Sequence, residues 1–155
     1  MPQLIKDGAV TQSTWLDPAP DASIAPAGHF ATLAQWQASD AKAGLPVQLE
    51  PGDDTSTLLQ DLNALSLVAV HFPLLTDGRG FSYARELRER GYMGELRARG
   101  HFMRDQLTYL TRVGFNSFEF AQDTDLEAAL SSLQDFTEFY QAAPDQPLPL
   151  FRRRA

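Results

Sequence analysis

The chain contains no cysteine, so a disulfide, a thiol nucleophile and a cysteine-ligated cluster are excluded, and any redox role needs a bound cofactor or a partner. Its three histidines, His29, His71 and His101, show neither His-x-His nor His-Glu-x-x-His spacing, which leaves a metal site little support. Nowhere do eighteen apolar residues run together, and Met1 to Gly8 has neither the apolar core nor the cleavage pattern of a leader, so the expected location is the cytoplasm. An excess of Lys and Arg is also missing. The net charge is −7, whereas nucleic-acid and acidic-membrane binding need positive charge to neutralise phosphate. No nucleic acid and no membrane is expected as a partner.

What is present is an ordinary globular composition over 155 residues, 43% hydrophobic and 21% charged, enough for one domain with a real core. Charge is spread unevenly. Between Arg79 and Arg112 eight arginines face four acids, Glu86, Glu89, Glu95 and Asp105, so that segment is positive by four and the remainder negative by eleven.

Residues 1–16 read as an amino-terminal β-hairpin, Gln3 to Lys6 and Ala9 to Leu16 turning at Asp7-Gly8. Residues 17–45 read as a linker rich in proline, followed by a helix from Phe30 to Lys42 that ends at Gly44. Residues 46–140 repeat a strand-then-helix pattern four times. The strands are Val47 to Glu50, Leu67 to Phe72, Glu95 to Arg99 and Phe115 to Phe120. The helices run from an Asp54 cap to about Asn63, from about Phe81 to Arg90, from Arg104 to Gly114, and from Asp125 onward. The last begins at a predicted capping box of Thr124 and Glu127. Residues 141–155 read as a flexible tail.

This pattern predicts an α/β fold, four consecutive βα units forming a mostly parallel sheet, either open or curled like half a barrel. In the second case two copies could complete the barrel as a homodimer. Leu67 to Phe72 is apolar enough to be covered on both faces. Trp15, Trp36 and the phenylalanines are read as core.

Ligands of such sheets bind beyond the carboxyl ends of the strands. There the loop Thr76-Asp77-Gly78-Arg79-Gly80-Phe81-Ser82 enters a helix, with amides and glycines suited to an anion. Alternatively Asp77 caps the helix and the glycines only make the turn. The loop lacks the Lys-Ser/Thr of a P-loop, Tyr83 fills the third glycine place of a dinucleotide fingerprint, and Ser82 lacks a nucleophile-elbow frame. Strand alternation puts Glu95, Arg97 and Arg99 on one face. They either decorate the wet face of an edge strand or, as planar forks, Arg97 and Arg99 line a concave anion site. The candidate anion-binding set is thus Gly78, Arg79, Gly80, Arg97 and Arg99. His71 and Glu119, near the ends of their strands, could approach as base and orienter, and with Asp77 they are the candidate proton-transfer groups. A histidine satisfied by one buried hydrogen bond is the competing account of His71.

The ordered set Phe72-Pro73, Thr76-Asp77-Gly78-Arg79-Gly80-Phe81-Ser82, Ala84-Arg85, Leu87-Arg88, Gly94-Glu95-Leu96-Arg97-Ala98, Gly100, Arg104-Asp105-Gln106 and Gly114-Phe115 strongly resembles DUF934, a bacterial family of unknown function, over roughly Pro46 to Phe139. The resemblance implies bacterial origin and a link, by gene neighbourhood, to assimilatory sulfite reduction, with some members described as probable oxidoreductases. It implies no catalytic residues and no cofactor. Members often carry a cysteine just before the last Gly-Phe, where this chain has Val113. The expected function is an accessory or anion-binding protein for sulfite reduction, with reductase components and a small anion as partners. The alternative is a small enzyme acting on an anionic substrate at the strand ends.

Overall fold

Asp7 and Gly8 both take positive φ, 51° and 82°, and make the expected tight turn between β1 (Gln3–Lys6) and β2 (Ala9–Gln12). The second strand ends at Gln12 instead of Leu16. In the computed structural model, residues 3–73, 79–102, 104–121 and 125–134 are described. The candidates Asp77 and Gly78 and the tail from 141 lie outside them, as does Thr124 of the predicted capping box. Within them, Asp125 Oδ1 accepts from the Ala128 amide at 3.1 Å and caps the last helix.

The βα series begins one unit earlier than expected. Ala31–Thr32 forms a short strand, β3, and only Leu33–Ala38 is helical, α1. The reason is a capping box: Thr32 accepts from the Gln35 amide at 3.2 Å, and the Gln35 side chain accepts from the Thr32 amide at 2.9 Å. The following elements are β4 (Val47–Leu49), α2 (Ser56–Leu59), β5 (Leu67–Phe72), α3 (Arg79–Glu89), β6 (Glu95–Gly100), α4 (Leu107–Val113), β7 (Ser117–Phe120) and α5 (Leu126–Gln134). Asp54 accepts from the Ser56 amide, but α2 stops at Leu59 and a 3-10 turn, Leu62–Ala64, replaces its expected continuation.

The strand order is β2-β1-β7-β6-β5-β4-β3, an open seven-stranded sheet. Strands β3 to β7 are parallel neighbours in sequence order, while β1 pairs antiparallel with β2 and β7. Right-handed crossovers that never reverse direction place every intervening helix on one face. Burial agrees: Leu33, Trp36, Leu58, Ala84, Leu87, Leu107, Leu110 and Val113 from helices share one core with Val47, Leu49, Val68, Val70, Phe72, Leu96, Ala98 and Phe118 from strands. Phe72 centres its aromatic part, with Phe81, Phe102 and Phe115 rings 5.4 to 6.3 Å away. Gly80, in the first turn of α3, lies so close that a Cβ there would sit 2.5 Å from the Phe72 ring and 2.9 Å from Val70 Cγ1. Close packing of α3 on β5 thus accounts for this glycine.

Among the described residues no helix packs on the opposite face. It is covered by the segment from Ser13 to Phe30, where Phe30, Leu67 and Ala69 form a separate small core with Trp15 against it. Leu16 and His29 join in an isolated bridge across this segment.

Candidate functional site

The face away from the helices carries the polar residues of four successive strands. Register aligns Gln48, Ala69, Arg97 and Ser117 in one row, and His71, Arg99 and Glu119 in the next. Glu50, which follows Leu49 of β4, extends the second row beside His71. Because side chains alternate along a strand, both rows point the same way.

The edge-strand account of Glu95, Arg97 and Arg99 is overturned, because β6 lies between β5 and β7. Arg97 and Arg99 are 4% and 8% exposed. Charges so placed must be paired, and they are. Arg97 donates to Glu95 Oε1 at 2.9 and 3.2 Å, to Glu119 Oε1 at 3.2 Å, and to the Ser13 and Ser117 hydroxyls. Arg99 donates to Glu119 Oε2 at 3.0 and 2.8 Å, to Asp17 Oδ1 at 2.6 Å, and to Gln48 Oε1. The Phe30 ring lies 4.7 Å from Arg99 Cζ and 5.8 Å from Arg97 Cζ, so an aromatic face covers both cations.

Glu50 continues the chain. Its Oε1 accepts from Gln48 Nε2 at 3.0 Å and its Oε2 lies 2.6 Å from His71 Nδ1. Since arginine only donates and carboxylate only accepts, Gln48 is held with its oxygen toward Arg99 and its nitrogen toward Glu50. At the other end Lys6 Nζ reaches Glu95 Oε2 at 3.2 Å. Interactions thus run unbroken from His71 through Glu50, Gln48, Arg99, Glu119, Arg97 and Glu95 to Lys6.

Where this face meets the carboxyl ends of the strands it opens into a cleft of about 500 Å³, lined by Asp17, Gln48, His71, Arg99, Glu119 and Phe120 among others. Of the candidate residues, Arg99, His71 and Glu119 share this cleft. His71 is oriented by Glu50, not Glu119, because Arg99 stands between them in the row. Arg97 is one row deeper, beneath Ser13. Arg79 begins α3, and Gly80 is packed against Phe72. Sequence reasoning put Glu50 at the carboxyl end of its strand without giving it a role, and missed Gln48 and Asp17 as members of the site. Gln48 and Glu50 were readable as the polar alternates of β4, in phase with His71, Arg99 and Glu119 on their own strands. Asp17, from a proline-rich linker, carried no such signal.

Burial pushes the Glu95 carboxyl up, but the charge and hydrogen bonds of Arg97, with bonds from Ser117 and Lys6, outweigh it and hold it below its ordinary value of 4.5. Glu50 behaves likewise: burial raises it, and hydrogen bonds from His71 and Gln48 with the charges of His71 and Arg99 bring it below 4.5. Both carboxyls bind protons less readily folded than unfolded. They therefore add stability above the ordinary carboxylate value, and that contribution is lost as pH falls through it toward their folded values. Thermal melts from pH 7 to pH 3 are expected to hold level and then drop below about pH 4.5. Glu95→Gln should lower the plateau and make the drop shallower; an unchanged drop would contradict this account.

Among the described residues no group of three or more His, Cys, Asp or Glu side chains is arranged to hold a metal ion, and no helix is long and apolar enough to cross a membrane. No curated protein and no solved structure matches the chain. A model of a bacterial protein family of unknown function does match, over residues 46–151, and the chain belongs to that family, DUF934.

Proposed function

We propose that the chain binds a small oxyanion in the Arg99–His71 cleft and serves assimilatory sulfite reduction as an accessory protein. One observation carries the anion reading. A guanidinium 8% exposed faces a cleft at the carboxyl edge of a parallel sheet, the place where such sheets take ligands. Low solvent access strengthens any charge-assisted hydrogen bond made there. The tie to sulfite reduction rests on the family's gene neighbourhood alone. Calorimetric titration with sulfite and sulfate is expected to give heat and a dissociation constant below about 1 mM, roughly −4 kcal/mol. No heat with either would refute the anion reading, and no retention of sulfite reductase components at micromolar protein would refute the accessory role.

The Glu50–His71 contact supports a second reading, an enzyme for an anionic substrate. A carboxylate on Nδ1 fixes the tautomer and presents Nε2 as a base. His71→Asn separates the two. As an enzyme the protein should lose turnover while Arg99 still retains the anion more weakly, whereas an accessory role predicts no turnover in either form.

A further inference from the structure

Arg99 has five N–H groups. Its Nε bonds Glu119, its Nη2 bonds both Glu119 and Asp17, and its Nη1 bonds Gln48, which leaves one N–H on Nη1. These partners are not equivalent. The Glu119 side chain is 7% exposed and Gln48 is buried, whereas the Asp17 side chain is 83% exposed and holds Arg99 by one oxygen at 2.6 Å from the cleft mouth.

We infer that Asp17 is a tethered anion in the ligand's own place, and that a small oxyanion enters the cleft by displacing it from Arg99. This rests on the anion-binding reading above and adds how the site is gated. Departure of Asp17 frees one N–H on Nη2, beside the one already open on Nη1. Two such donors match an anion with two adjacent oxygens, a carboxylate, sulfite or phosphate group. Charge balance favours exchange over simple addition. Arg97 and Arg99 are already met by Glu95, Glu119 and Asp17, so a further anion added to that set would face three carboxylates, while one replacing Asp17 faces two, and a monoanion doing so leaves the local charge as it was. His71 lines the same cleft, and among the described residues its Nε2 has no hydrogen-bond partner, so it can meet a second oxygen of the ligand. Asp17 can leave at little structural cost, being exposed and held at its carboxylate by this one ion pair and, through its backbone carbonyl, by His29 Nδ1 at 2.6 Å, a contact that no change to the Asp17 side chain removes.

The test is calorimetric titration of the wild-type chain, Asp17→Ala and Asp17→Asn at low ionic strength with sulfite, sulfate, phosphate and acetate in separate runs. The His71 ring resonances are followed by NMR through the same titrations. Asp17→Ala is expected to bind at least one of these anions about tenfold tighter than wild type, with Asp17→Asn between them and the His71 resonances moving as the site fills. Equal affinity in all three proteins would overturn the displacement and leave the anion site standing. Tighter binding without movement of His71 would also overturn it, because the anion would then lie elsewhere. No heat in any protein with any anion would overturn the displacement and the anion-binding reading together.

Discussion

Glu119→Ala is expected to destabilise the protein by about 3 kcal/mol, near the lower end of what breaking a buried ion pair costs. Glu119 is 6% exposed and its carboxylate serves two cations at once, Oε1 on Arg97 and Oε2 on Arg99. Its removal leaves two largely buried guanidinium groups short of partners, and uncompensated desolvation drives the loss. Glu95 still meets Arg97 and Asp17 still meets Arg99, so the effect stays at the lower end of the range. For a chain of this length the melting temperature should fall by on the order of 10 °C. Glu119→Gln, which keeps the shape and some hydrogen bonds, should fall by less. Urea unfolding of the three proteins decides the matter, and a loss below about 1 kcal/mol for the alanine variant would show that solvent reaches these arginines.

Gly100→Ala should cost more, about 4 kcal/mol. Gly100 ends β6 at φ 127°, and a Cβ there would collide with the Phe72 carbonyl oxygen while lying 3.0 and 3.1 Å from its carbon and nitrogen. Two costs add: backbone strain of about 1–3 kcal/mol and overpacking of similar size. The obstacle is backbone, not a side chain that can swing away. It is pinned, because the Phe72 carbonyl accepts from the His101 amide at 2.9 Å and the Gly100 carbonyl accepts from the Ala121 amide at 2.8 Å. Gly91→Ala is the control. Gly91 has φ 100° but nothing within 4 Å of an added Cβ, so it carries the strain without the collision. If both variants lose the same stability by chemical unfolding, the collision is relieved by relaxation and the larger figure is wrong.

Much of the fold was legible because its signals are local. The apolar run Leu67 to Phe72 announced a strand covered on both faces, and Asp7-Gly8 announced a hairpin through its tolerance of positive φ. The repeated strand-helix alternation gave a parallel sheet. What failed were judgements needing partners. Three charges on one face of β6 suggested an edge, because burying them is costly when nothing meets them. Glu119, Gln48, Ser13 and Asp17 meet them in space, from strands and a linker that no window of sequence brings together. The helix proposed from Phe30 to Lys42 shrank to six residues because the Thr32–Gln35 capping box fixes its start and the backbone turns extended at Ser39. At the site, His71 and Glu119 were correctly placed at strand ends, but which carboxylate orients the histidine depends on strand order, and Arg99 intervenes. The family match begins at residue 46, so the likeness could not point to Ser13, Asp17 or Phe30, which cover the arginines.

The arginine network also has a consequence in time. Its bonds close very long loops: Arg97 reaches Ser13 across 84 residues, Arg99 reaches Asp17 across 82 and Gln48 across 51. Strands β3 to β7 and the helices between them pair in sequence order, so their contacts can form early, whereas contacts at such separations, and the pairing of Ile5 with Phe118 in the helix-covered core, carry a larger loop-closure entropy and form later. Until the amino-terminal segment folds over, Arg97 and Arg99 stay hydrated and β6 tolerates its charges without strain. Covering of the polar face is therefore expected to follow the pairing of β3 to β7 and to accompany the docking of β1 on β7, so that Asp17 reaches Arg99 late in assembly.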